Sequence, residues 1–308
     1  MIVLVAIHWA EGEELLALVR QGRPGWLLAG AALQVGTYLA AGAVWQGVLR
    51  RGERPLGLAQ LARLAIAKLF VDQAMPSAGI SGTLVVVQGL RQRAVPRPVA
   101  VSAIVVDLVS HYIALSGALA LALALASARA EEVRLVAVPA GIFAIVAVAV
   151  PVALLRLSAH PPDPARLPRI RALRRLLDTL AQARPDLIRD RGLLARAVLF
   201  QLTIITLDTS TRYAMHLALG LVPDLAGVFA AMMLGTLARI IGIVPGGLGT
   251  FEAVTVATLH ASGVSVAGAL AATLLFRGLS FWLPLLPGLW AARRETARLP
   301  PRGQEATS

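Results

Sequence analysis

Few residues in this chain are equipped for chemistry, and most of them stand inside or beside apolar runs. Arg239, Glu252 and Arg277 surround the stretch Pro245-Gly246-Gly247-Leu248-Gly249-Thr250-Phe251-Glu252. Guanidinium forks match phosphate oxygens, so Arg239 and Arg277 are candidates for holding an anionic headgroup. Pairing with Glu252 or Asp208 is the competing use of both. Asp208 and Arg212 are spaced i,i+4 on one helix face, which favours an intrahelical ion pair over a place on a polar headgroup path. Asp107 and His111 lie one turn apart. They read first as a helix–helix hydrogen-bonding pair and second as a proton relay, since histidine titrates near neutral pH. The other histidines, His8, His160, His216 and His260, show no metal-ligand spacing. No Gly-x-Ser-x-Gly or Ser/His/Asp arrangement is evident, nor a nucleotide-binding glycine motif. The sequence therefore predicts no catalytic residue, no metal and no cofactor.

The glycine stretch dominates the second half. Three glycines and a proline in residues 245–249 cannot continue a helix. At bilayer depth such a break is tolerated only where it is buried in protein or lines a polar cavity. A helix restarting near Thr250 presents N–H groups carrying partial positive charge. Pro245, Gly246, Gly247, Gly249 and Thr250 are thus the predicted backbone of an anion-friendly cavity; a packing break between close helices is the alternative. Glu252 either caps the new helix or belongs to the site. A second break, Pro76-Ser77-Ala78-Gly79-Ile80-Ser81-Gly82, makes Pro76, Gly79 and Gly82 candidates as well, against an ordinary loop.

The elements that must position these residues follow from composition. The chain has 308 residues, is 57% hydrophobic and only 15% charged, with a mean hydropathy of +0.73. Soluble domains do not look like this; an all-α polytopic membrane protein does. There is no cysteine, so disulfides and thiolate sites are excluded. The net charge is +12, and all but one of the 29 basic residues are arginine, Lys68 being the exception. These charges lie in loops without interleaved aromatics, which argues for membrane topology and anionic lipid rather than nucleic acid.

Residues 1–10 form a short apolar run without a basic n-region or cleavage site, so no signal peptide is expected. Residues 26–49 read as a span, with Trp26 and Trp45 at its interfaces. Residues 56–90 carry Arg63, Lys68 and Asp72 and break at 76–82, giving a re-entrant hairpin. Spans follow at 99–128 and 135–155. Residues 156–196 hold ten arginines against four aspartates, a cytoplasmic loop containing a basic amphipathic helix. A span at 197–219, a second hairpin over 225–262 and a last span at 266–292 complete the chain.

About six or seven crossings and two re-entrant hairpins are expected in one membrane domain, 1–308. Its half-repeats, 26–128 and 197–292, have the same span–hairpin–span order in opposite orientation. Paired broken segments in two inverted halves point to a transporter site near the midplane.

The motif at 245–252, the stretch at 76–82 and Leu275-Phe276-Arg277-Gly278 resemble the lysylphosphatidylglycerol synthase transmembrane (flippase-like) family. The resemblance covers nearly the whole chain. Gly79-Ile80 stands where relatives commonly have Gly-Glu. The resemblance implies a protein that moves a phospholipid or polyprenyl-type lipid between leaflets, and residues 76–87 loosely resemble the hopanoid-cluster subgroup. The chain stops shortly after the last span, so the aminoacyltransferase activity of fuller relatives is not expected. The expected partners are anionic membrane lipids and, in the alternative reading, a separate lipid-modifying enzyme for which this chain is a membrane subunit or scaffold. The expected location is a bacterial inner membrane with both termini cytoplasmic.

Overall fold

The structure, a computed structural model, describes residues 23–74, 80–127, 182–241 and 245–297, with 149, 152–153 and 156 besides. Among these residues every regular element is a helix. Four helical stretches are long and apolar enough to cross a bilayer. The first three are α1 (Pro24–Arg51), α4 (Arg97–Ser127) and α6 (Arg191–Ala218). The fourth is a composite of α9 (Val266–Arg277), a π-helical turn (Gly278–Trp282) and α10 (Leu283–Ala297). The 28 residues of α1 give about 42 Å of helix, more than the roughly 30 Å hydrocarbon core. The predicted span at 135–155 and the amphipathic helix lie largely outside the described residues.

Sequence explains the helix ends. Pro24 opens α1 at a position where its missing N–H costs nothing. α5 (Pro185–Ile188) is a single turn before α6. Asp190 caps α6 by accepting the Leu193 N–H at 2.9 Å. That bond, with Arg51 3.2 Å away, holds the Asp190 carboxyl below the usual carboxylate range. The cap starts α6 at Arg191, six residues before the predicted edge, so Arg191 and Arg196 belong to the helix. The composite last span tolerates Pro287 within α10.

Two short-helix pairs fill the space between the long helices. α2 (Leu58–Ala74) and α3 (Ile80–Arg91) form one hairpin; α7 (Leu225–Ile241) and α8 (Thr250–Ala261) form the other. The largest interface joins α1 to α6. Exchanging α1–α4 for α6–α10 maps some of the contacts onto one another: α4 packs on α7 as α10 packs on α2. Gly82, expected in the first break, lies inside α3 instead. Trp45, expected at an interface, is 1% exposed within the core formed by α1, α2, α4 and α6.

Small residues let the helices approach closely. A Cβ on Gly42 would stand 3.0 Å from the Ala62 nitrogen and 3.2 Å from the Leu61 carbonyl carbon. Backbone cannot yield as a side chain can. Gly42→Leu is therefore expected to destabilise the protein by about 1–3 kcal/mol, seen as a lower melting temperature in detergent. Gly117→Leu, whose Cβ meets nothing within 4 Å, should move it little; equal shifts for the two would refute the close α1–α2 contact.

Candidate functional site

The break between α7 and α8 is built from backbone that only glycine adopts easily. Gly246, Gly247 and Gly249 have φ of 65°, 65° and 85°. An L-residue in this left-handed region costs about 1–2 kcal/mol. Space forbids side chains too: a Cβ on Gly247 would lie 2.9 Å from the Arg239 Cα, and one on Gly246 3.1 Å from Phe281 Cζ. Pro245–Gly247 forms a 3-10 turn, and Thr250 Oγ1 donates to the Gly247 carbonyl at 3.1 Å.

Glu252 caps the new helix, one of the two uses the sequence allowed, and also pairs with Arg277. Its Oε2 accepts the Gly249 N–H at 2.6 Å, half of a capping box that glycine cannot complete. Its Oε1 accepts from Arg277 Nε at 2.5 Å. Arg277 also donates from a terminal nitrogen to the Gly246 carbonyl at 2.9 Å, and its guanidinium lies over the rings of Phe251 and Phe281. The pair is largely enclosed, with side chains 6% and 16% exposed. The positive end of α8 thus already has an anion, the chain's own carboxylate. Arg277, one of the two candidate phosphate ligands, is committed to protein partners.

Arg212 departs from the expected pairing with Asp208. It is 0% exposed, and none of its three guanidinium nitrogens has a hydrogen-bond partner among the described residues. Its guanidinium lies 5.1 Å from the Phe251 centroid and 4.6 Å from that of Phe276. Such cation–π contacts contribute roughly 0.5–2 kcal/mol each. Asp208 instead accepts from Gln34 Nε2 at 2.9 Å, and the same Gln34 amide reaches Thr211 Oγ1 at 3.3 Å. The i,i+4 register is intact; two aromatic rings from α8 and α9 and an amide from α1 have drawn the partners apart.

Asp107 and His111 are joined across helices, as the first reading of their spacing expects. Gln201 of α6 donates to Asp107 Oδ1 at 2.8 Å, and its Oε1 lies 3.4 Å from His111 Nδ1. In the first hairpin, Asp72 Oδ2 pairs with Lys68 at 2.9 Å, and Asp72 Oδ1 accepts the Gly82 N–H at 3.1 Å. Gly82 has no side chain because the Asp72 carboxylate occupies that space. Pro76 and Gly79 lie outside the described residues. Both hairpins share one device: a carboxylate accepts a backbone N–H at the start of the second helix and is neutralised by a cation.

Arg239 is the exception. It stands at the end of α7, exposed, with no hydrogen bond or ion pair among the described residues. It interacts electrostatically with Asp208, Asp72 and Arg277, and with Lys68 and His111. It is therefore the uncommitted cation in a polar cluster fed by both hairpins. Gln34 and Gln201 were not singled out in the sequence. Gln34 stands in a helical run without charge from Pro24 to Leu49, and Gln201 is the one amide of α6; those are the signals that point to them. Among the described residues no cluster of potential metal ligands occurs.

The long apolar helices define a multi-pass membrane protein. The chain belongs to the lysylphosphatidylglycerol synthase TM region family, whose sequence model matches residues 1–288. This places it among membrane proteins of lipid metabolism or transport. Comparison with curated proteins gives no significant match.

Proposed function

We propose that the protein translocates a phospholipid or other phosphate-bearing lipid between leaflets, its headgroup passing between the tips of the two hairpins. Arg239 carries this reading: among the described residues its fork has no partner, while the other hairpin-tip charges are internally paired. A guanidinium held there can grip two phosphate oxygens at once, while the lipid tails stay in the hydrocarbon. The two hairpins are re-entrant segments of an inverted repeat, and the exchange symmetry of their contacts supports that. The membrane is a bacterial inner membrane, with both termini cytoplasmic. In this reading transport runs downhill or is coupled to an ion gradient.

The test is leaflet exchange of fluorescent anionic phospholipid in liposomes holding the purified protein. Exchange faster than in protein-free liposomes is expected. Exchange at the protein-free rate, across several lipid classes, would replace this reading with that of a membrane subunit for a lipid-modifying enzyme.

A further inference from the structure

His111 stands at the middle of α4, fourteen residues after Arg97 and sixteen before Ser127. That is about 21 Å along the helix, deep in a bilayer-length span. An ionisable side chain at that depth marks a functional position by default. Its hydrogen-bond chain fixes which ring nitrogen can take a proton. A carboxylate only accepts, so the end of Gln201 that lies 2.8 Å from Asp107 Oδ1 is the amide NH2. The opposite end is then the Oε1 that lies 3.4 Å from His111 Nδ1. An acceptor there requires the ring hydrogen on Nδ1. Nε2 is left as the basic atom. It has no hydrogen bond among the described residues, and His111 is only half-buried.

His111 faces Lys68 of α2 and Arg239 of α7, besides Gln201 of α6 and Asp107 and Tyr112 of its own helix. Of the other helices packed on α4, α1 contains as ionisable residues only Tyr38 and the terminal Arg50 and Arg51, α3 only the terminal Arg91, and α5 only Asp186. The charges of the cluster balance while His111 is neutral. Lys68 pairs with Asp72, and Arg277 with Glu252. Asp208 interacts with Arg212 and Arg239, and Asp107 with Lys68 and His111. Cations and carboxylates are thus equal in number. A headgroup phosphate arriving at Arg239 adds an uncompensated negative charge, and a nearby opposite charge favours the charged form of a histidine. We infer that His111 Nε2 binds a proton together with the headgroup, so that lipid translocation is coupled to proton movement. The inference rests on the translocator reading and names the ion that accompanies the lipid. One N–H bond forms at Nε2 as the headgroup enters, the proton coming from water on that side. It breaks as the headgroup leaves, returning the proton to water on the other side. No electrons are exchanged. The coupling is reciprocal: a headgroup that raises the proton affinity of His111 several-fold is itself held several-fold more tightly once His111 is charged.

The experiment is nitrogen NMR of the full chain, isotope-labelled at histidine, in nanodiscs. The His111 signals are those lost in His111→Gln; if that variant folds poorly, Gln201→Leu identifies them by freeing the tautomer. In phosphatidylcholine the neutral ring should carry its hydrogen on Nδ1. Replacing part of the lipid by phosphatidylglycerol should raise the proton affinity of His111 several-fold beyond any change at His260, which is exposed at the end of α8 and reports the surface potential. Arg239→Ala should abolish that excess while His111 still titrates. A neutral ring with its hydrogen on Nε2 overturns the inference. So does a titration that phosphatidylglycerol leaves unchanged relative to His260. In proteoliposomes, exchange of phosphatidylglycerol should quicken several-fold from about pH 8 to about pH 6, the range in which histidine charges, and His111→Gln should lose that dependence. Exchange without lipid-linked titration would reject the proton site alone; lipid-linked titration without exchange would reject the translocator reading alone.

Discussion

Arg239→Ala is expected to slow leaflet exchange of anionic phospholipid by about 10- to 100-fold, the loss of one charged hydrogen-bonding group worth roughly 1.5–3 kcal/mol. Folding should survive, because the side chain is exposed and has no partner among the described residues. The alanine keeps the Cβ against which Gly247 rests. A melting temperature near wild type, with exchange lost, is the expected result in proteoliposomes. Arg239→Lys keeps the charge but not the two-pronged geometry, so it should fall between the two. Exchange unchanged in Arg239→Ala would remove the phosphate ligand from the proposal. The contrast with Arg277 is instructive. Both arginines qualified equally on sequence, yet one is bound on three sides by Glu252, the Gly246 carbonyl and aromatic rings.

Glu252→Ala should produce the largest loss of stability. It leaves the enclosed Arg277 without its carboxylate and the Gly249 N–H without its acceptor. Removing one partner of a buried ion pair costs about 3–5 kcal/mol. The double variant Glu252→Ala/Arg277→Met removes both charges and should recover part of that loss. Thermal unfolding in detergent over the four members of the cycle reads the coupling directly. Strict additivity of the two single changes would mean that the pair contributes nothing. The outcome also separates two roles of Glu252. A cap alone predicts equal damage whether or not Arg277 is present.

What hydropathy can report, the sequence reported well. The four long helices, the two short-helix hairpins and the glycine break follow from apolar length and from proline and glycine positions. Side-chain partnership was another matter. Asp208 and Arg212 sit at ideal spacing and do not pair, because Gln34 comes from α1 and Phe276 from α9. Those neighbours are set by packing between helices far apart in sequence, which periodicity cannot see. The Trp45 error has the same origin: a tryptophan near the end of a span is as compatible with a core as with an interface until neighbouring helices are placed. Gly82 looked like part of a break, yet its missing side chain admits Asp72 to the first turn of α3. The position was legible and its reason was not.

The two carboxylate caps differ in what they tie together. Lys68 and Asp72 belong to one helix, and Gly82 to its hairpin partner. The first hairpin therefore carries its fastening within itself. Glu252 fastens α8 to α9, outside its own hairpin. Any tilt of that second hairpin against the last span must stretch this tie. Two arms of like architecture are thus fastened differently, one within itself and the other to the last span.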